Sequence, residues 1–533
     1  MKKYFLVVLL SIFSVSAAIA GFYDGGPGRT AAMGGQEAVL PDISNTFDLY
    51  SIGFSSAILI RPAKNIINIY PDIAIPFGKS IEDDASETTN ERSGFTIGTG
   101  VYKSSNNGLV LWLSDSSVLT VKPYLSATVS NRKVSSTTSD THTYTYTQGL
   151  IAGEAEYAFK LSDTLGVAGL VGYYRNGLKS ERNDEDDYNN VYFDKMIYQV
   201  SALLMPDSKN GGWAFAASAG NKTEPLAPRV FNLDMNLEMA EFEYLMHPLS
   251  FISIHQYEYE ENLIQEHESF TDYEGSGFLV ETGTSYNGKG NMAFMSKVGL
   301  IAGYTFKISE KDIYKILATN ITTETSDSFT PITGGMGFNF AAASRWDLGL
   351  LIPGVKLEYR IVGYDIKNSG GDTLSKNSLS FTKAAAGTSF RLSESLLIPF
   401  EIFYDNLLSY AKDPNGTGEN FSYFIDYGGK LGVEIGLEKT TFLRFGIDCT
   451  IFGDHSISKL DGEITGESHP MGSEENRNAV IVGLNTGLGM AINGIQANIG
   501  LRFENLGFSP ENKDYRERSD LTLKILSDIK MFF

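Results

Sequence analysis

The sequence predicts an all-β chain: a transmembrane, antiparallel up-and-down β-barrel of about 16 strands, within a range of 14–18. Three observations predict it. Side-chain character alternates with period two over many long segments. The connections alternate between tight turns and long polar stretches. The chain opens on an export signal and stops inside an alternating, aromatic segment.

The opening segment comes first. Lys2 and Lys3 precede an apolar run from Tyr4 to Phe13, and Ala18-Ile19-Ala20 supplies an A-x-A cleavage site. The run is too short to span a bilayer, so 1–20 is expected to be a secretory signal peptide rather than an anchor. No cysteine follows the site, so no lipid attachment is expected there, and the mature chain is expected to begin near Gly21. Residues 61–533 are assigned to the barrel, with 21–60 as a separate segment before it.

Composition narrows the class. A formal charge of -21 argues against a nucleic-acid partner. Cys449 is the sole cysteine, so no internal disulfide can form. Outside 1–20 no apolar stretch reaches the ~20 residues a membrane helix needs. Yet 42% of residues are hydrophobic, with 54 Gly, 33 Phe and 28 Tyr, which suits strands that are apolar on one face only.

The alternation is most regular near the carboxyl end. Over 430–438, Leu431, Val433, Ile435 and Leu437 alternate with Lys430, Gly432, Glu434, Gly436 and Glu438. Leu443, Phe445, Ile447, Cys449 and Ile451 continue the pattern against Arg444, Gly446, Asp448 and Thr450. Ile495, Ala497, Ile499, Leu501 and Phe503 repeat it against Gln496, Asn498, Gly500, Arg502 and Glu504. Similar runs cover 149–161, 191–205 and 478–492. These runs are ~9–15 residues long, the length a tilted strand needs to cross a bilayer, whereas strands of soluble proteins average ~5–6. With the apolar faces on lipid, Glu154, Glu156, Lys160, Lys195, Gln199, Glu434, Arg444, Asp448, Arg502 and Glu504 point into the lumen. Mixed signs there predict a lumen crossed by ion pairs, or one plugged by another part of the chain, rather than a strongly charge-selective pore.

Tight turns are expected at 162–164, 287–290, 438–440 and 493–494; Asn493-Gly494 is the strongest hairpin signal, since both residues accept positive φ. Long polar loops are expected near 177–190, 256–274, 408–422, 454–477 and 504–520. The acidic run 183–187 reads as solvated loop and lacks the glycine of a calcium-binding loop. Pro62, Pro71 and Pro76 argue against an uninterrupted central strand over 60–77, although 66–75 fits an edge or bulged strand. Residues 232–246 fit either a strand or a helix. Ser309-Glu310-Lys311-Asp312 looks like a capping box, and Ile313, Ile316 and Leu317 follow at helical spacing, so a short helix over 309–320 is expected in an outer loop, with those three residues walling a hydrophobic groove.

No catalytic constellation stands out. His267-Glu268 has no second histidine at metalloprotease spacing, and no G-x-S-x-G sits between a strand and a helix. Gly334 to Gly337 and Gly487 to Gly489 lie in strand-like surroundings and relieve crowding rather than cradle phosphate. The chain is therefore expected to be no enzyme and to need no cofactor and no metal.

The amino-terminal segment carries a family resemblance. Gly25-Gly26-Pro27-Gly28-Arg29, then Ala31-Ala32-Met33-Gly34-Gly35, Ala38 and Asp42 resemble the start of FadL-like and PorV-like outer-membrane proteins. The match covers about 35 residues, and Gly53-Phe54-Ser55-Ser56-Ala57 stands where those families carry an Asn-Pro-Ala-like turn. The resemblance implies that 21–60 folds inside the barrel, with Arg29, Met33, Gly34, Gly35 and Asp42 as hatch residues. It implies passive uptake of a small hydrophobic ligand across a bacterial outer membrane. A non-transporting PorV-like scaffold and a general diffusion porin are the alternatives. The last strand, from about Leu521 to Phe533, resembles the signal read by the barrel-assembly machinery. That machinery, the lipid bilayer and lipopolysaccharide are the expected partners.

Overall fold

The computed structural model describes Met33 and residues 65–532 apart from 70, 83–88, 100–107, 136–140, 183–187, 207–211, 222–250, 262–264, 288–291, 318, 368–369, 414–417, 439, 461–462, 469–478, 493–494 and 509–514. The signal peptide, Arg29, Gly34, Gly35, Asp42, the ambiguous segment 232–246 and Phe533 lie outside the described residues.

Every regular element among the described residues is a strand. They run β1 Ile66–Ile69, β2 Pro71–Glu82, β3 Thr89–Thr99, β4 Gly108–Ser114, β5 Ser117–Ser135, β6 His142–Lys160, β7 Leu165–Arg182 and β8 Tyr188–Leu204. Then follow β9 Gly212–Gly220, β10 Phe251–Glu261, β11 Gln265–Asn287, β12 Met292–Ile316, β13 Ile321–Trp346, β14 Leu351–Lys367 and β15 Thr373–Ser393. The chain continues with β16 Leu396–Lys412, β17 Gly418–Glu438, β18 Thr441–Leu460, β19 Glu463–Ser468, β20 Ala479–Ile492, β21 Ile495–Phe508 and β22 Tyr515–Phe532.

All pairings are antiparallel, and the ladder returns to its start: β22 pairs with β21 on one side and with β1 and β2 on the other. Four staves are interrupted. β1 with β2, β3 with β4, β9 with β10, and β19 with β20 each share their neighbours, so among the described residues the 22 elements group into eighteen staves. This lies at the top of the expected range. The interruptions explain the shortfall in the central expectation, because half-strands such as Gly212–Gly220 and Phe251–Glu261 do not read as one element in the sequence. Pro76 falls where the pairing of the first stave lapses: β2 pairs with β3 at Ala74 and Phe77 but not at Ile75 or Pro76, whereas Pro71, at the start of β2, faces Thr99.

The chain leaves the β9–β10 stave at Asn221, which takes over the missing ladder bonds itself. Its side-chain oxygen accepts from the Tyr198 amide at 2.6 Å, and its side-chain amide donates to the Met196 carbonyl at 2.8 Å. A buried side chain thus stands in for a strand residue. Asn221→Ala is expected to cost about 1–3 kcal/mol, because it leaves two backbone groups of β8 unpaired. Loss of amide-exchange protection at Met196–Tyr198 would register it; unchanged protection would refute the assignment.

The barrel is inside-out. Ile151, Val171, Val200 and Leu300 are each more than 60% exposed, whereas Glu156, Asp448 and Arg444 are at most 2% exposed. Apolar faces point outward and charged faces inward, the reverse of a soluble barrel. This is the pattern of a transmembrane β-barrel of the bacterial outer membrane. The long runs expected as strands are strands, and the inward positions Glu154, Glu156, Gln199, Glu434, Arg444 and Asp448 are buried as alternation requires.

Two expectations need correction. The polar segments near 177–190, 256–274, 408–422, 454–477 and 504–520 are mostly not loops. They are outward continuations of paired strands: β7 runs to Arg182, β10 to Glu261 and β16 to Lys412. Likewise 309–320 is no helix. It is the end of β12 and a turn, with Asn320 at φ 52° reversing the chain into β13. Charged residues of this segment are used as cross-strand partners instead. Lys311 meets Glu324 at 3.1 Å, and Lys315 meets Glu266 at 2.7 Å. Three apolar residues at helical spacing are outweighed by two full ladders of backbone hydrogen bonds.

The two sides of the barrel differ as expected. The turn at 161–164 is tight and lies on the short-turn side. At the other side β11, β12 and β13 reach 23, 25 and 26 residues. A crossing needs only about 9–11, so these hairpins project well beyond the bilayer.

Candidate functional site

The lumen wall divides into two unlike halves. Across β17 to β22 it carries a chain of buried polar groups. Arg444 Nε donates to Glu434 Oε2 at 2.6 Å, and its Nη1 donates to Asn498 Oδ1 at 2.7 Å. Asn498 in turn donates to Asp528 at 2.8 Å. Asp448 accepts from Asn485 at 2.8 Å and from Arg502 at 2.7 Å. Arg502 also meets Glu504 at 2.5 Å, and Glu504 meets Lys524 at 2.7 Å. Acids and bases alternate, as the mixed inward face of the sequence predicts.

The opposite wall is apolar near the short turns. Leu203, Met205, Ala214, Ala216, Ala293, Met295 and Ala343 form one buried cluster. Met33 belongs to another cluster. It is completely buried and packs with Ile352, at the start of β14, and Leu397, at the start of β16. Both partners lie on the inward face, next to the short turns.

Between β11 and β14 the wall itself is irregular. The β11–β12 ladder shifts register between Ser276 and Phe278. β12–β13 shifts three times between Ile301 and Ile308, and β13–β14 shifts between Ile332 and Met336. Gly303, at φ 68°, takes the left-handed conformation within the β12 irregularity. Three adjacent ladders thus slip at one height, leaving a gap in the regular pairing within which Tyr304 and Phe306 still find partners in β13. The slipped stretch is flanked by apolar residues on both faces, while Ser276 and Thr305 bond hydroxyl to hydroxyl at 2.9 Å within it. Leu279, Ile301, Val362 and Tyr364 are buried on the inside, while Phe278, Leu300 and Met336 are exposed outside.

Above the gap, the projecting hairpins enclose an open cavity of about 650 Å³ whose lining includes Phe270 and Ile313 beside Asp272, Lys311 and Asp327. Of the three residues expected to wall a groove, the structure places Ile313 in it. Ile316 and Leu317 sit instead at the exposed tip of the β12–β13 hairpin. On another outer hairpin, Glu419 accepts from Lys412 at 2.8 Å and from Tyr410 at 3.1 Å. The bond to Glu419, followed by its charge, raises the pKa of Lys412.

Sequence reasoning missed the gap residues. The inward parity of Lys297 and Gly299 against outward Val298 and Leu300 was the available signal for the wall below it. Nothing in a single sequence announces that three neighbouring ladders slip at the same height.

No protein-family model matches the chain, and no curated protein matches it. Solved structures do resemble it. The Pseudomonas putida toluene transporter TodX is 9% identical, with a TM-score of 0.35, over 96% of this chain and 99% of that one. The CymD monoaromatic hydrocarbon channel is 11% identical, with a TM-score of 0.30, over 96% and 99%. The ferric citrate transporter FecA is 9% identical, with a TM-score of 0.32, over 88% of this chain and 79% of that one. The hydrocarbon channels among these are of the FadL type, the type that the amino-terminal segment resembles. At such identities and scores the likeness carries nothing about cargo.

Proposed function

We propose that the chain is an outer-membrane channel for passive uptake of small hydrophobic molecules, plugged by its amino-terminal segment. The gap in regular pairing between β11 and β14, flanked by apolar residues on both faces, is the observation that carries this reading. A hydrophobic molecule gains about 25 cal/mol for each Å² it removes from water, so a path along apolar surface needs no other driving force than a concentration difference.

The cargo first meets the outer cavity at Phe270 and Ile313. It then enters the lumen, where the line Leu279, Ile301, Val362 and Tyr364 offers an apolar face. The facing polar wall of β17 to β22 disfavours it, and the gap offers an exit toward Phe278, Leu300 and Met336. Residues 21–60 close the lumen toward the short turns. The burial of Met33 against Ile352 and Leu397 supports that placement. Arg29, Gly34, Gly35 and Asp42 join Met33 in the proposed hatch.

Planar-bilayer conductance tests the plug, comparing the intact chain with one lacking residues 21–50. Small steps that become large on deletion are expected. A silent deletion variant, shown to be inserted and folded, would mean that side chains alone close the lumen. Uptake of a hydrophobic fluorescent dye into vesicles tests the cargo class; vesicles that take up no more dye with the protein than without it would end the channel reading.

A further inference from the structure

Directly below the wall gap, three buried residues meet over a single glycine. Glu281 on β11, Gly299 on β12 and Asn339 on β13 occupy one line of paired positions. Since Gly299 has no side chain, its two neighbours reach across it. Asn339 Nδ2 donates to Glu281 Oε1 at 2.7 Å. Lys297, one inward position further down β12, places its Nζ 3.2 Å from the same oxygen. Glu281, Lys297 and Asn339 are 3%, 6% and 4% exposed.

The fit depends on the glycine. A Cβ at 299 would stand 2.0 Å from Asn339 Oδ1 and 2.9 Å from Glu281 Cγ. One line higher, Leu279, Ile301 and Gly337 are paired, and immediately above them the ladders begin to slip. A side-chain bond spanning three strands therefore sits at the boundary between regular and irregular wall.

We propose that the Glu281–Asn339 bridge over Gly299, neutralised by Lys297, is a sill that fixes the lower edge of the gap. It ties β11 to β13 without passing through β12, so the three strands cannot separate below it. It also sets a charged line beneath the apolar one. A hydrophobic molecule at Leu279 and Ile301 then meets polar groups if it descends and apolar surface if it moves outward. Glu281, Lys297 and Asn339 act as positioning residues for lateral passage. This inference rests on the channel reading for its purpose, while its structural content stands apart from cargo.

Hydrogen–deuterium exchange of the full chain in lipid, on wild type, Asn339→Ala, Gly299→Ala and the double variant, tests it. The folded barrel is verified by its heat-dependent mobility on a denaturing gel. Loss of a hydrogen bond to a charged group is expected to speed exchange in 293–300 by about tenfold or more. Strands β17 to β22 should be unaffected. Asn339→Ala creates no clash, so it keeps the test valid if Gly299→Ala does not fold. In the double variant the 2.0 Å contact with Asn339 Oδ1 is gone, only the 2.9 Å contact with Glu281 Cγ remains, and the bridge is still missing, so exchange is expected to remain fast. Unchanged exchange in Asn339→Ala would overturn the sill, as would wild-type protection in the double variant. Ion leak through planar bilayers should rise in Asn339→Ala relative to wild type; an equal leak would remove the gating role. Failure of the wild type to admit hydrophobic dye, with the exchange pattern as expected, would remove the channel reading and leave the sill in place.

Discussion

Replacing Arg444 by alanine is expected to destabilise the barrel by about 3–5 kcal/mol, the usual cost of removing one member of a buried charge pair. The guanidinium is wholly buried, with Glu434 on Nε and Asn498 on Nη1. Gly489 lies beneath it, where a Cβ would stand 2.2 Å from Nη1, so the site is shaped for this side chain. Alanine would leave the Glu434 carboxylate buried beside a void and would strip Asn498 of its donor. The cost comes from the charge left behind rather than from the worth of the pair. Glu434→Leu combined with Arg444→Met is accordingly expected to be much milder than Arg444→Ala, because well-packed apolar replacements of a buried pair are often neutral. Urea unfolding of the barrel from lipid, run as a double-mutant cycle, measures both. A loss below about 1 kcal/mol for Arg444→Ala would show that the network is hydrated and contributes little.

A second large effect is expected on the opposite face. Val200 is 63% exposed and lies near the middle of the bilayer-crossing part of β8, whose short-turn end is Leu204. Val200→Arg should cost about 2–4 kcal/mol, because the guanidinium would lie in hydrocarbon, while Leu204→Arg should cost about 0–1 kcal/mol, because it reaches the interface. Free energies of folding into vesicles would separate the two. Equal costs at 200 and 204 would place the membrane elsewhere on the barrel.

These two positions also mark what the sequence makes legible. Val200 and Arg444 alternate with neighbours of opposite character, and period two in side-chain direction follows from the pleat alone. Inward and outward faces could therefore be assigned without coordinates, and the structure agrees. The tight turn at 162–164 was readable because its residues have local conformational preferences. The resemblance at Met33 was readable too, and its burial between Ile352 and Leu397 is consistent with it.

The misreadings share one cause. The segment 309–320 has helical spacing and a capping box, and local energetics favour a helix there. The structure pairs it on both sides, with residues about 45 positions back in β11 and with the next strand. Polar stretches that look like loops are strands for the same reason: a ladder needs backbone groups, not apolar side chains.

By itself, then, the sequence determined the class, the two faces of each long strand and the sidedness of the connections, because each is a local property of the pleat or the turn. Only the tertiary structure decided the register. Register brings Glu281, Gly299 and Asn339 onto one line, sets Arg444 beside Glu434 and Asn498, and makes three ladders slip together between β11 and β14. Shifting a strand against its neighbour leaves its own alternation unchanged but exchanges every cross-strand partner, so no single strand's sequence contains that information.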